Sequence, residues 1–172
     1  MERYNDDRYQ LDPILDFLRL LWAVEHGLQR TSKRMEVTFG VTGPQRLVLR
    51  IVGRFPDLSA GDLARILQLH PSTITGILQR LVRRGLLARE QDADDRRRVR
   101  LRLKGGAQMF TRASQGTVEQ AVTRALGRNQ ASRVRAARDV LSAVADALHQ
   151  LNEQDLSSDS RRRTRRFSRR SA

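Results

Sequence analysis

The chain has 172 residues, a formal net charge of +14 and no cysteine. The lack of cysteine excludes disulfides, thiol catalysis and cysteine-based redox sensing, and the positive charge favours a polyanionic partner such as nucleic acid. All basic residues except Lys33 and Lys104 are arginines. Because codon usage in a GC-rich genome also favours arginine, the positions of these charges say more than their number.

The N-terminal segment gives an expectation about localisation. It reads MERYNDDRYQLDP, which is polar and carries acids, unlike a secretory signal peptide. The longest apolar run, Leu20–Val24, is too short to span a bilayer. We therefore expect a cytoplasmic protein that does not contact membranes.

Two helices are predicted in the first third of the chain. Apolar residues at alternating three- and four-residue steps predict an amphipathic helix from Leu11 to about Met35. Gly40 then interrupts the pattern, and the segment Thr42–Gln45 has the form of a capping box that starts a second helix. Phe55–Asp57 ends that helix.

A helix-turn-helix is predicted next. Ser59, with Asp62 three residues later, caps a third helix. A short turn leads to Pro71, a favourable first residue for a fourth helix, and Gly85 stands where such a helix ends. Two short helices joined by a tight turn indicate a helix-turn-helix, whose second helix fits the major groove of DNA.

A β-hairpin is predicted after the fourth helix. Its strands are Leu86–Glu90 and Arg97–Leu103, and its loop is Gln91–Asp95. Apolar residues alternate with arginines along the second strand, which places one face on the core and the other toward solvent or phosphate. A hairpin in this position is the wing of a winged helix-turn-helix.

Two further helices are predicted, Gly106–Leu126 and Gln130 to about Leu151. Apolar residues of the second follow a heptad pattern at Val134, Ala137, Leu141, Val144, Leu148 and Leu151. Such a seam requires another helix along its length, which either internal packing or a second copy of the chain would supply. Because a helix-turn-helix usually works as a dimer, we favour pairing of the terminal helices across a two-fold axis.

The predicted fold class is mainly α with a small β-hairpin wing, a winged helix-turn-helix combined with a helical dimerisation region. Residues 1–38 form the N-terminal helix of the dimerisation region, residues 39–104 the DNA-binding domain, and residues 105–152 the C-terminal dimerisation helices. Residues 153–172 are rich in arginine and lack apolar periodicity. For them we predict a disordered tail.

The fourth helix carries the candidate DNA-reading residues. A helical wheel groups its apolar residues on one side: Ile74, Ile77, Leu78, Leu81 and Val82. The other side has hydroxyls, an amide, arginines and a glycine: Ser72, Thr73, Thr75, Gly76, Gln79, Arg80 and Arg83. Glutamine can pair with adenine, and arginine with guanine or phosphate. An exposed mid-helix glycine costs about 1 kcal/mol against alanine, so Gly76 suggests close approach to a groove wall, although an ordinary solvated face is the alternative.

The tip of the hairpin carries Asp95, Arg96, Arg97 and Arg98. An arginine there could enter the adjacent minor groove, where the potential is most negative if the groove is narrow. Asp95 could accept hydrogen bonds that orient this arginine. The alternative is a solvated, charge-balanced loop.

These segments resemble the MarR family of bacterial transcriptional regulators. The resemblance covers about residues 11–151 and rests on HPSTITGILQRLVRRGLL, the wing sequence DADDRRRVRLRL, and the preceding VTGPQRLVLRIV and LSAGDLARIL. It implies a homodimer held by the first, fifth and sixth helices, a fourth helix in the major groove, and Arg96 or Arg97 in the minor groove. Lys104 and Ala107 depart from the threonine and glycine that the family commonly has there.

Many members of this family release DNA when a small aromatic or phenolic ligand enters a crevice between the dimerisation and DNA-binding regions. The resemblance makes Trp22, His26, Phe39 and Arg46 the candidates for such a site, with core packing or a surface position as the alternative for each. The sequence has no metal-spaced cluster, nucleophile–base motif or phosphate-binding loop. We therefore expect no cofactor, no metal and no enzymatic activity.

The sequence thus predicts a transcriptional regulator that binds double-stranded DNA as a homodimer. A repressor on a palindromic operator, released by a small ligand, is the form that the resemblance favours. One alternative is a weakly specific architectural protein of the nucleoid, dominated by its basic tail. Another is a protein-interaction module whose tail docks on an acidic partner.

Overall fold

The computed structural model describes residues 10–91 and 99–168, and for residues 153–168 it describes the backbone alone. The elements in chain order are α1 (Pro13–Phe39), α2 (Gly43–Arg54), α3 (Ala60–Leu67), α4 (Pro71–Arg83), β1 (Leu87–Gln91), β2 (Val99–Leu103), a 3₁₀ helix (Gly105–Thr111), α5 (Val118–Leu126) and α6 (Ala131–Ser168). The described chain is mostly helical with one antiparallel hairpin, which confirms the predicted fold class.

Capping interactions set the limits of α1 and α2 close to the predicted positions. The carboxylate of Asp12 accepts a hydrogen bond from the backbone N–H of Ile14 at 2.9 Å and starts α1. Gly40 ends α1 in the left-handed conformation, with φ of 73°. Thr42 and Gln45 then form the reciprocal capping box that the sequence predicts for α2.

The buried core of the described chain is centred on α2. This helix contacts α1, α4, β2 and the 3₁₀ helix. One cluster gathers the buried apolar residues: Val41, Val48, Leu49, Val52, Leu63, Ala64, Ile74, Ile77, Leu78, Leu81, Leu87, Leu101, Ala107 and Phe110. Because burial of a large apolar side chain contributes roughly 1.5–3 kcal/mol, this cluster holds α3, α4 and the hairpin against α2.

The third helix begins with the predicted cap and leads directly into α4. Asp62 accepts the backbone N–H of Ser59 at 3.0 Å, and the Ser59 hydroxyl accepts the N–H of Asp62 at 3.1 Å. The hydroxyl and N–H of Ser59, helped by Arg65, lower the pKa of Asp62 below its ordinary value. Gln68 ends α3 with φ of 50°, and Pro71 begins α4 after the turn.

The hairpin is attached to the turn between α2 and α3. β1 and β2 pair antiparallel, with Leu87 opposite Leu103. The backbone N–H of Leu101 donates to the carbonyl of Leu58 at 2.9 Å. Leu101 is buried, whereas Val99 is 41% exposed. The apolar face of β2 therefore reaches the core only near the root of the hairpin.

The predicted fifth helix, Gly106–Leu126, is wrong in its first half. The 3₁₀ helix occupies the start of this range, and an irregular segment separates it from α5. Gly116 adopts φ of 73°, a left-handed conformation that turns the chain out of a helix. Thr117 then caps α5, because its hydroxyl accepts the N–H of Gln120 at 3.3 Å.

The predicted disordered tail also needs correction. α6 continues to Ser168, whereas the sequence analysis ended it near Leu151 and placed a disordered tail at residues 153–172. The chain has neither glycine nor proline after Gly127, so no residue there stops the propagation of the helix. Residues 169–172 lie outside the described chain.

The two long helices expose apolar side chains. On α1, Trp22 and Val24 are at least 60% exposed. On α6, Leu141, Leu148 and Leu151 of the predicted heptad are at least half exposed. The chain divides into two units at Val122–Thr123, within α5, so that α1 and α6 belong to different units. Each unit therefore carries its own exposed apolar surface. Among the described helices, none is both long and apolar enough to cross a membrane.

Candidate nucleic-acid interface

Burial of one side of α4 determines which residues this helix presents outward. Ile74, Leu78 and Leu81 are at most 1% exposed and Ile77 is 9% exposed, because α4 packs on α2, α3 and β1. Val82, which the helical wheel grouped with them, is 37% exposed. It lies at the edge of the apolar stripe, about 80° around the helix from Ile74.

The structure brings the seven residues predicted on the other side of α4 onto one open face. Six of them are exposed: Ser72, Thr73, Thr75, Gln79, Arg80 and Arg83. Gly76 is half-buried, but a Cβ atom built there would meet no atom within 4 Å. Hydroxyl, amide and guanidinium groups together supply the donors and acceptors that contacts to base edges and phosphates need.

His70 fixes the N-terminal end of this face. Its Nδ1 accepts the backbone N–H of Ser72 at 3.3 Å and lies 2.7 Å from the Ser72 hydroxyl. One turn later, the Thr75 hydroxyl donates to the carbonyl of Pro71 at 2.9 Å. The sequence predicts a helix-entry role for His70 from its place directly before a proline that begins a helix, and the structure confirms it as the cap of α4.

No described residue constrains the C-terminal half of the face. Gln79, Arg80 and Arg83 make no side-chain hydrogen bond or ion pair with another described residue. Arg80 and Arg83 lie in the last turn of α4, where a positive charge interacts favourably with the helix dipole. No residue of the described part of the chain therefore occupies their donors.

The predicted wing residues Asp95, Arg96, Arg97 and Arg98 lie outside the described residues. The root of the hairpin is described and is strongly charged. A groove of about 630 Å³ runs between α3, α4 and this root. It is lined by both polar and apolar residues: Ser59, Ala60, Gly61, Thr75, Arg89, Gln91, Val99 and Leu101.

The sequence analysis also missed Asp57, which it assigned only to the end of α2. The carboxylate of Asp57 lies 2.6 Å from Arg102 and 3.4 Å from Arg100, both on β2. Glu90 on β1 approaches Arg102 at 3.8 Å. Arg100 and Arg102, at the root of the hairpin, are therefore paired with acids of this chain.

The four residues predicted for an effector site do not come together in one chain. Trp22 and His26 are exposed one turn apart on α1, and Phe39 packs against the core at the C-terminal end of the same helix. A rise of 1.5 Å per residue separates Trp22 from Phe39 by about 26 Å. Arg46 lies on α2 and is 1% exposed.

Arg46 makes a buried polar junction between α2 and the start of α5. Its guanidinium donates to Glu119 at 3.0 Å, to the carbonyl of Arg112 at 2.6 Å and to the hydroxyl of Ser114 at 3.2 Å. Arg50, one turn later, approaches the same Glu119 oxygen at 3.9 Å. Within this chain Arg46 therefore holds the irregular segment before α5 against α2.

Comparison with known proteins gives a family match for the segment built around α4. Residues 39–98 match the model of the MarR family. The match begins at the end of α1 and reaches the tip of the hairpin, so it contains all of the predicted DNA-reading residues of α4. No curated protein matches the chain.

Solved structures of several proteins share this fold over most of the chain. The PcaV transcriptional regulator from Streptomyces coelicolor, in complex with its natural ligand, is 27% identical, covers 81% of this chain and 99% of its own, and has a TM-score of 0.63. MepR from S. aureus in complex with DNA is 19% identical, covers 77% and 97%, and has a TM-score of 0.61. MarR from Oenococcus oeni PSU-1 is 18% identical, covers 76% and 98%, and has a TM-score of 0.65.

Arg46→Met tests the buried junction. Removing one partner of a buried ion pair leaves the other charge uncompensated. Because Glu119 is 23% exposed and keeps Arg50 nearby, we expect a loss of about 3 kcal/mol in the free energy of unfolding, at the low end for such pairs. Urea denaturation of the purified protein measures it.

Arg50→Met is the matched control. Arg50 is 35% exposed and contacts Glu119 at only 3.9 Å, so its removal should cost at most about 1 kcal/mol. Equal losses for the two variants would show that Arg46 is not the centre of the junction.

Proposed function

We propose that this protein is a transcriptional regulator that binds a specific double-stranded DNA site through α4. The observation that carries the proposal is the open polar face of α4, whose opposite side is buried in the core. A helix held in this way can enter a major groove without unfolding any other part of the domain. The DNA complex of MepR, which shares the fold, supports this use of the domain.

Residue chemistry suggests a division of roles along the face. Gln79 is suited to bidentate pairing with adenine, while Ser72, Thr73 and Thr75 suit shorter contacts to bases or phosphates. Arg80 and Arg83 suit guanine or phosphate. At the tip of the hairpin, we propose that Asp95 orients one of the arginines Arg96, Arg97 and Arg98 toward the adjacent minor groove.

We propose that the protein acts as a homodimer on a palindromic operator. The exposed apolar rows of α1 and of α6 support this, because surfaces of this kind usually mark an interface. A two-fold dimer places its two recognition helices in half-sites about one helical turn apart. Repression by blocking polymerase, in the cytoplasm and on the nucleoid, is the corresponding mode of action.

A small aromatic or phenolic effector that releases the DNA completes the proposal. It is supported by PcaV, which is 27% identical and was solved with its natural ligand. Of the candidates, Trp22 and His26 are accessible on one exposed face of α1, whereas Phe39 and Arg46 are engaged in packing or in the buried junction. An effector site would therefore be centred on α1 and completed by other residues.

Gly76→Ala separates the needs of the fold from those of DNA binding. A Cβ atom has open space there, and alanine is favoured over glycine inside a helix by about 1 kcal/mol. We expect this variant to unfold at a higher temperature than the wild type but to bind its operator at least tenfold more weakly, because the methyl group meets the groove wall. Calorimetry and a binding titration measure the two effects. Unchanged operator affinity would remove Gly76 from the interface.

Gln79→Ala and Arg83→Ala test base reading against phosphate contact. Gln79→Ala should relax the preference at one operator position, since a good bidentate pair is worth about 1–3 kcal/mol of discrimination. Arg83→Ala should weaken binding to all sequences alike and reduce the salt slope by about 1. Selection of bound fragments at near-physiological salt, followed by titration, measures both.

The chain ending at Leu156 is the control for the arginines beyond it. It should keep the sequence preference of the full chain while losing affinity for DNA in general. Loss of the preference in this shortened chain would replace the proposed function with that of a weakly specific architectural protein.

A further inference from the structure

Asp57 occupies a backbone conformation that usually belongs to glycine. It lies in the turn between α2 and α3 with φ of 76°. Residues with a side chain rarely adopt this left-handed region, although aspartate and asparagine tolerate it better than most. An aspartate in place of glycine at such a position suggests that its carboxylate contributes something that glycine would not.

The partners of that carboxylate are two arginines of the wing. Arg102 lies at 2.6 Å and Arg100 at 3.4 Å. Both alternate along β2 with the buried Leu101, so they share the face of the hairpin that points away from the core. They are 43% and 28% exposed, and solvent therefore reaches both guanidinium groups.

The backbone beside Asp57 holds the same strand. The carbonyl of Leu58 accepts the N–H of Leu101 at 2.9 Å. The turn between α2 and α3 thus contacts β2 through one backbone bond and through ion pairs on both sides of it. These contacts lie at the root of the hairpin whose tip carries the proposed minor-groove arginines.

We propose that Asp57 is a positioning residue that sets the specificity of DNA binding. Its carboxylate holds Arg100 and Arg102 away from the DNA backbone and fixes the hairpin relative to α4. Phosphate contacts carry no sequence information, so two arginines released from Asp57 would strengthen binding to operator and other DNA alike. A hairpin no longer fixed relative to α4 would at the same time lose contacts that only the operator provides, and the ratio of the two affinities would therefore fall. The inference rests on the proposed function and adds a residue that acts on the contrast between operator and other DNA.

Asp57→Asn tests the proposal, because asparagine has the same shape, tolerates positive φ and lacks the charge. Each added phosphate contact steepens the log–log salt dependence of binding by about 0.9, so two released arginines steepen it by up to about 1.8. Relative to the wild type, we expect a salt slope steeper by about 1 or more and tighter binding at low salt, both on non-operator DNA. We also expect the ratio of operator to non-operator affinity to be at least tenfold lower. Fluorescence titrations over a range of salt concentrations measure all three.

Two comparisons isolate the role of the carboxylate. Glu36→Gln, at an exposed position on α1, removes one negative charge elsewhere and should leave the slope unchanged. In a chain that already carries Arg100→Gln and Arg102→Gln, adding Asp57→Asn should change neither the slope nor the ratio. Asp57→Gly, which suits the backbone conformation, should reproduce the effect of Asp57→Asn even if asparagine disturbs the turn.

The outcomes separate this inference from the proposed function. The role of Asp57 alone would be overturned if the wild-type chain prefers an operator but Asp57→Asn has the same salt slope and the same ratio of operator to non-operator affinity as Glu36→Gln. Uniform weakening on all sequences with an unchanged slope would also overturn it, because that result describes a purely structural residue. A wild-type chain without any operator preference would overturn the proposed function and this inference together.

Discussion

The burial of one side of α4 is the constraint on which the candidate interface depends. Ile74, Leu78 and Leu81 are enclosed by α2, α3 and β1, and the rotation of the helix about its axis is therefore fixed. Because side chains recur around a helix every 3.6 residues, fixing the apolar side also fixes the polar side. The direction of Gln79 and Arg83 is thus a consequence of packing in the core.

The arginines of α4 differ in their ion pairing from three arginines elsewhere in the fold. Arg80 and Arg83 have no partner among the described residues, whereas Arg46, Arg100 and Arg102 are paired with carboxylates. The total number of basic residues, 33, therefore overstates the positive charge that is available to DNA. Arg80 and Arg83 also lie on the face of α4 that carries groups able to read bases.

Local features of the fold could be predicted from the sequence, and long-range ones could not. The caps of α2 and α3 join residues three positions apart, such as Thr42 with Gln45, and their signature is visible in the chain. The pairing of Arg46 with Glu119 spans 73 positions, and no pattern announces it. Gly116 interrupts the predicted fifth helix through its left-handed conformation, and a single glycine in the sequence does not by itself specify that conformation. The absence of glycine and proline after Gly127 was the overlooked sign of a longer α6.

Methylation interference on a selected operator tests the central claim most directly, because guanine N7 lies in the major groove and adenine N3 in the minor groove. If α4 reads DNA, N7 methylation will block binding in two symmetric patches about 10 base pairs apart, with N3 interference beside each patch where the wing lies. Binding that is blocked by phosphate ethylation but by no N7 methylation would contradict the account, since the protein would then recognise only the backbone of the DNA.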